Sequence, residues 1–282
     1  MKIRIIRLPY DSGHRSLRMG RGPEHLIQQG LPRELQDLGH QVELDLIETR
    51  VPFPSEIGTA FDLYRQLSKR VSSAFNLGLF PLVLSGNCGS ALGTISGIPL
   101  PSLGVVWFDG HGEFNTPDTT ASGFLDGMPL ATLAGRCWKT LAQSIPQFRV
   151  MAEQDVVLVG VRSYDPLEEQ ALQASQVTRV GSECVRTRGV RDALGPALDA
   201  LRSRTESIYL HLDPDALEPA QALANSFVPP GGLTVEDIRA SIEMTRERFT
   251  IIAAAVASYD PDCDSGPRTC RAVMDLIKEI FR

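Results

Sequence analysis

The sequence predicts one α/β domain, with a mostly parallel sheet lying between layers of helices. Three observations predict it. Short apolar runs alternate with longer helical patterns along the 282 residues, as in repeated strand–helix units. Several of the runs are nearly continuous Val, Ile and Leu, the mark of strands covered on both faces. No Pro/Gly/Ser-rich linker, low-complexity stretch or internal repeat divides the chain.

The elements follow in order. The first strand is expected over 2–8, where apolar Ile3, Ile5 and Ile6 are interleaved with charged residues. Further apolar runs predict strands over 41–47, 81–85, 103–108, 155–161, 176–181, 207–212 and 251–258. Between them, helices are expected over 23–38, 56–77, 188–204, 235–248 and 270–281. Thr234 followed by Asp237 reads as an N-cap with an acidic first turn for the 235–248 helix. In sheets of this kind, sites form beyond the carboxyl ends of the strands. Asp109, Asp213 and Asp215 all fall at that end.

Composition narrows the function classes. A net charge of −6 with scattered Lys and Arg excludes a basic nucleic-acid footprint. No apolar run is long enough to span a bilayer, and the N-terminus lacks the apolar core of a signal peptide. Five cysteines without framework spacing point to a reduced, cytoplasmic protein. Arg18 and Arg21 read as solvated or as contacts to another subunit.

The chemistry concentrates at strand ends. Trp107-Phe108-Asp109-Gly110-His111-Gly112-Glu113 places three potential metal ligands at alternate positions after a buried run. If the segment stays extended, Asp109, His111 and Glu113 share one face. The run Ile208-Tyr209-Leu210-His211-Leu212 ends likewise in Asp213-Pro214-Asp215. Each Asp alone is equally a turn or cap residue. Four carboxylates gathered as bare anions would repel and raise one another's pKa values. Divalent cations remove that conflict, so the paired clusters predict a two-metal hydrolytic site. A third cluster, Ser85-Gly86-Asn87-Cys88-Gly89-Ser90, brings Cys88 to the same edge. It reads either as a small core cysteine or as a thiolate ligand.

These three clusters, in this order, resemble the arginase, or ureohydrolase, family. The early Met19-Gly20-Arg21-Gly22-Pro23, the loop from Asn115 to Gly123 and the late Pro230-Gly231-Gly232-Leu233-Thr234 extend the resemblance over nearly the whole chain. It implies a three-layer α/β/α sandwich with an eight-stranded parallel sheet, and two manganese ions that activate water for attack on a guanidinium-type carbon. Asp109 and Asp213 would bridge both ions, His111 and Asp215 would complete one shell, and Glu113 and Cys88 the other. Asn115 and Ser122 would meet a substrate α-carboxylate and Asp165 an α-amino group. Each of these three is also ordinary loop chemistry.

Four departures from the family pattern shape the expected reaction. Cys88 stands where the family has His, and Glu113 where it has Asp. Asp126 takes the place of a His that shuttles a proton to the departing amine; it reads equally as an acid and as a turn residue before Gly127. Ser258 takes the place of a Glu that clamps the cationic guanidinium, with Asp260 nearby opening a turn before Pro261. The expected substrate is therefore Nω-hydroxy-L-arginine, giving hydroxyurea and L-ornithine, and the pattern is similar to the hydroxyarginine-hydrolase branch that serves D-cycloserine biosynthesis. The alternatives are another ureohydrolase (an arginase, agmatinase, guanidinobutyrase or formimidoylglutamase), a non-catalytic metal-binding homologue, or a thiol enzyme using Cys88. The expected partner is a small guanidino amino acid, with no nucleic acid and no membrane, and a monomer is favoured over the family's oligomers.

Overall fold

The computed structural model describes residues 1–49, 55–264 and 266–282. Ten strands occur among them: β1 (Lys2–Leu8), β2 (Tyr10–Asp11), β3 (His14–Arg15), β4 (Gln41–Leu46), β5 (Phe80–Ser85), β6 (Gly104–Phe108), β7 (Val156–Val159), β8 (Thr178–Val180), β9 (Ser207–Leu212) and β10 (Thr250–Val256). The pair β2–β3 makes a small antiparallel ribbon. The other eight form one sheet in the order β4-β1-β5-β10-β9-β6-β7-β8. Every neighbouring pair in it is parallel, which is the predicted fold class.

Alternate side chains of each strand feed two separate cores. Ile3, Ile5, Leu82, Leu84, Val106 and Phe108 pack into one. Ile6, Leu8, Val83, Val105 and Trp107 pack into the other. Helices Gly22–Gln28, Leu31–Asp37, Val190–Arg202, Val235–Arg248 and Arg268–Ile280 supply the first core. Glu56–Asn76, Ser90–Ser96 and Pro129–Leu133 supply the second. Both faces of the sheet are thereby covered, which is why its strands read as unbroken apolar runs. Each fully buried aliphatic side chain contributes about 1.5–3 kcal/mol relative to exposure.

Two predicted helices differ from the structure, and glycine is the cause in both. The 23–38 stretch splits into Gly22–Gln28 and Leu31–Asp37 because Gly30 turns left-handed at φ 94°, and Pro32 then restarts the helix in its first turn. The 188–204 helix starts at Val190, because Gly189 at φ 77° separates it from an unforeseen helix over Ser182–Arg188. The cap at Thr234 is as predicted. Its Oγ1 accepts from Asp237 N at 3.0 Å, and the Asp237 carboxylate accepts in return from Thr234 N at 3.0 Å, a reciprocal box worth about 1 kcal/mol. No described helix is long and apolar enough to cross a membrane.

The sheet order decides where the site lies. Four adjacent central strands, β5-β10-β9-β6, are followed in sequence by Cys88, Ser258, Asp213 and Asp109. All four residues leave the sheet at the same edge, beyond the carboxyl ends of the strands.

Candidate metal centre

Phe108 and Leu212, the last residues of β6 and β9, are paired in register. Asp109 and Asp213 therefore emerge side by side. The chain beyond them does not stay extended, so strand alternation is not what gathers the carboxylates. Asp109 Oδ1 accepts from His111 N at 2.8 Å, and Asp213 Oδ1 accepts from Asp215 N at 2.8 Å. These are Asx turns, in which a carboxylate closes on the backbone two residues ahead. Glu113 is then swung inward by a left-handed backbone, φ 56°.

The turns bring the six candidate ligands together. Ligand atoms of Cys88, Asp109 and Asp213 lie within 4.8 Å of one another, as do those of Asp109, His111 and Glu113. Asp215 Oδ2 lies 2.9 Å from His111 Nδ1. Asp109 belongs to both groups, so it has the position of a bridge. Its Oδ2 is fixed by a 2.9 Å bond from Trp107 Nε1, and Asp215 Oδ1 by a 2.8 Å bond from Gly110 N.

The electrostatics call for cations. Burial, then the Asp215 charge, pushes Asp109 up to about 6. Burial and neighbouring carboxylates drive Glu113 and Asp213 well above the ordinary carboxylate range. Burial, followed by the Asp213 and Glu113 charges, does the same to the Cys88 thiol. His111 runs the other way. Burial opposes its charge, but Asp215 and Asp109 overcome that and raise it to about 11. Burial likewise opposes ionisation of Asp215, which the His111 charge and the Gly110 N–H hold below the carboxylate range. Among the described residues, Glu113 Oε2 is buried with no hydrogen-bond partner, a costly state for a polar atom. Divalent cations fit this set: they relieve the repulsion, engage Glu113 Oε2 and meet mostly hard oxygen donors beside one imidazole and one thiol.

Cys88 has a neighbour that the sequence reading did not single out. His211 Nε2 lies 3.2 Å from Cys88 Sγ, and Tyr209 Oη bonds Nδ1 at 2.7 Å. The His211 ring stacks on Trp107 with centroids 3.7 Å apart. Burial lowers its pKa to about 3, so it is neutral. Strand alternation was the signal available, since His211 and Tyr209 share a face of β9. The same contact would suit a thiol nucleophile and its base. The surrounding carboxylates disfavour a free thiolate, however, and favour a thiol that ionises onto a cation.

Asp126 lines the cavity and also holds the loop that carries Cys88. Its carboxylate accepts from Gly89 N at 2.7 Å, Asn87 Nδ2 at 2.8 Å and Cys88 N at 3.0 Å. Burial pushes its pKa up to about 7 against those three bonds. Asp126→Asn puts an amide N–H among N–H donors. The expected result is a loss of about 1–3 kcal/mol of stability together with weaker metal retention. Thermal unfolding and metal analysis of the dialysed protein check it; unchanged values in both would contradict an anchoring role.

Asn115, Ser122, Asp165 and Ser258 line one cavity of about 620 Å³ with all the candidate ligands but Asp109. Asp165 Oδ2 accepts from Asn115 Nδ2 at 3.1 Å and Ala121 N at 2.9 Å, while Asn115 Oδ1 accepts from Thr119 Oγ1 at 3.0 Å. Ser122 Oγ accepts from Phe124 N at 3.2 Å. Ser258 is buried at φ 60°, its Oγ 3.4 Å from Cys88 Sγ. Asp260 closes a turn by accepting from Asp262 N at 3.0 Å.

The profile of the arginase family matches residues 1–282. The chain belongs to the arginase family. An arginase of Bacillus caldovelox is 30% identical over 298 residues, covering 99% of this chain and 97% of the relative. An arginase of Staphylococcus aureus (strain COL) is 29% identical over 294 residues, covering 99% and 96%. The solved Bacillus caldovelox arginase superposes with a TM-score of 0.91 at 28% identity, covering 99% of this chain and 98% of that one.

Proposed function

We propose that this arginase-family ureohydrolase hydrolyses Nω-hydroxy-L-arginine to hydroxyurea and L-ornithine. The observation that carries the reading is the neutral hydroxyl of Ser258 beside Cys88, where the family resemblance leads one to expect a carboxylate clamp. A guanidinium group stays protonated at any working pH and has no anion to meet at that wall. An N-hydroxyguanidine has a lower pKa, so its neutral form needs none.

In this reading Asp109 and Asp213 would hold both cations, His111 and Asp215 would complete one set of ligands, and Glu113 and Cys88 the other. Two bound divalent cations, for which manganese is the proposed choice, would supply Lewis acidity and a water of lowered pKa. The residues of the chain do the rest. Asn115 has one amide hydrogen beyond its bond to Asp165, and Ser122 keeps its hydroxyl proton; both serve an α-carboxylate. Asp165 faces the α-ammonium group. Asp126, with a pKa near neutrality, protonates the departing amine. Water adds to the guanidine carbon, the bond to the δ-nitrogen breaks, and hydroxyurea and ornithine leave.

Reconstitution with manganese and parallel assays on hydroxyarginine and arginine test this. Hydroxyurea is expected from the first, with urea from the second slower by about 10–100-fold, the scale of one lost charge-assisted hydrogen bond. Equal or faster release of urea from arginine would reject the reading.

A further inference from the structure

Arg18 is the one lysine or arginine among the described residues that line the cavity, and seven of the other lining residues are aspartate or glutamate. It is held by a buried partner on its own chain, although its side chain remains partly exposed. The fully buried Asp11 grips it: Arg18 Nε donates to Asp11 Oδ2 at 2.8 Å, and Nη2 donates to Asp11 Oδ1 at 3.1 Å and to Ser12 Oγ at 3.1 Å. These bonds occupy Nε and Nη2. The third nitrogen, Nη1, takes part in none of them, and the side chain is 42% exposed at the cavity. The backbone at Arg18 is left-handed at φ 41°, an uncommon conformation for a residue with a side chain. Asn87 connects this pair to the centre, since its Nδ2 reaches Asp11 Oδ1 at 3.3 Å and Asp126 Oδ2 at 2.8 Å, and Cys88 follows it in sequence.

We propose that Arg18 is a specificity-determining residue that reads a carboxylate on the substrate through Nη1. Away from the candidate metal ligands, Arg18 is the one arginine or lysine that an anionic group would meet in a cavity otherwise rich in carboxylates. Asp11 fixes the plane of the guanidinium in advance, so little side-chain entropy is lost on binding. With Nε and Nη2 committed to Asp11 and Ser12, Nη1 offers a single charged donor to an incoming carboxylate. The inference deepens the amino-acid substrate reading above and rests on it. It predicts that the same site discriminates against amines that lack the carboxylate.

Calorimetry of the manganese-loaded protein with L-ornithine and with 1,4-diaminobutane isolates the term, because the two ligands differ by the carboxylate alone. The unmodified protein is expected to favour ornithine. Arg18→Gln is expected to weaken ornithine by about tenfold or more and to leave diaminobutane unchanged. Because Arg18→Gln strands the buried Asp11, Arg18→Lys is measured beside it. That variant retains a cation for Asp11, should melt like the parent, and should still weaken ornithine selectively. Equal affinity of the unmodified protein for both ligands, loss of both in parallel, or unchanged ornithine binding in a folded variant would each overturn the proposal. Failure to release hydroxyurea while the ornithine contrast persists would instead remove the substrate reading and leave the role of Arg18 standing.

Discussion

Asp213→Asn is expected to abolish hydrolysis while leaving the chain folded. The substitution keeps the shape of the side chain and its Oδ1 acceptor, which closes the turn onto Asp215 N. It replaces Oδ2, the oxygen 3.1 Å from Cys88 Sγ, with a donor that holds no cation. Asp213 lies with Cys88 and Asp109 in one ligand group, and in the proposed arrangement it serves both shells, so both would lose a ligand at once. Removing a residue that merely orients a metal ligand already costs about 10–100-fold. Loss of a bridging ligand should cost about a thousandfold or more in rate and reduce metal content below two per chain. Elemental analysis of the dialysed protein and a hydroxyurea assay check both. The metal-free variant should melt close to the metal-free parent, because two apolar cores carry the fold. Full metal content with undiminished turnover would refute the bridging assignment.

Gly86→Ala is expected to be the most destabilising small substitution near the site. A Cβ there would overlap the carbonyl oxygen of Tyr10 and lie 2.7 Å from both Cα and N of Gly20. All three obstacles are backbone, so no side chain can rotate away. Overpacking typically costs about 1–3 kcal/mol and sometimes more; the upper end applies here. The melting temperature should fall on the order of 10 °C, at about 2–4 °C per kcal/mol for a chain of this size class. The loop carrying Asn87 and Cys88 must shift with Gly86, so metal affinity should fall as well. A melting temperature within a degree or two of the parent would show that the ribbon and loop move apart freely.

This close approach also explains what could be read from sequence and what could not. The eight sheet strands were legible because burial on both faces leaves unbroken apolar runs. Asp109, His111, Glu113, Asp213 and Asp215 were legible as a group because they cluster directly after two of those runs. The reason they converge was not, since Asx turns and the left-handed Glu113 replace strand alternation. Asp11, Asn87 and His211 were harder still. Asp11 reaches Asn87 from 76 positions away in the chain, and no local pattern records such a partner. Gly20 looked like part of a family signature, but its physical role is to let Gly86 pass above it. Helix breaks at Gly30 and Gly189 were written in the sequence, yet a single glycine inside an amphipathic pattern is often tolerated.

The sheet order has a consequence for the birth of the molecule. The strand that joins the two halves of the centre, β10, is the last one in the chain, yet it lies between β5 and β9. Until it inserts, β5 and β9, the strands that precede Cys88 and Asp213, have no strand between them. A nascent chain emerging in sequence order would hold its early strands while the cleft between them stays unfilled. Closing that gap joins residues far apart along the polymer, the kind of contact that makes assembly slow. On the proposed two-metal reading, the full ligand set would come together late in the life of each molecule, once its final strand has arrived.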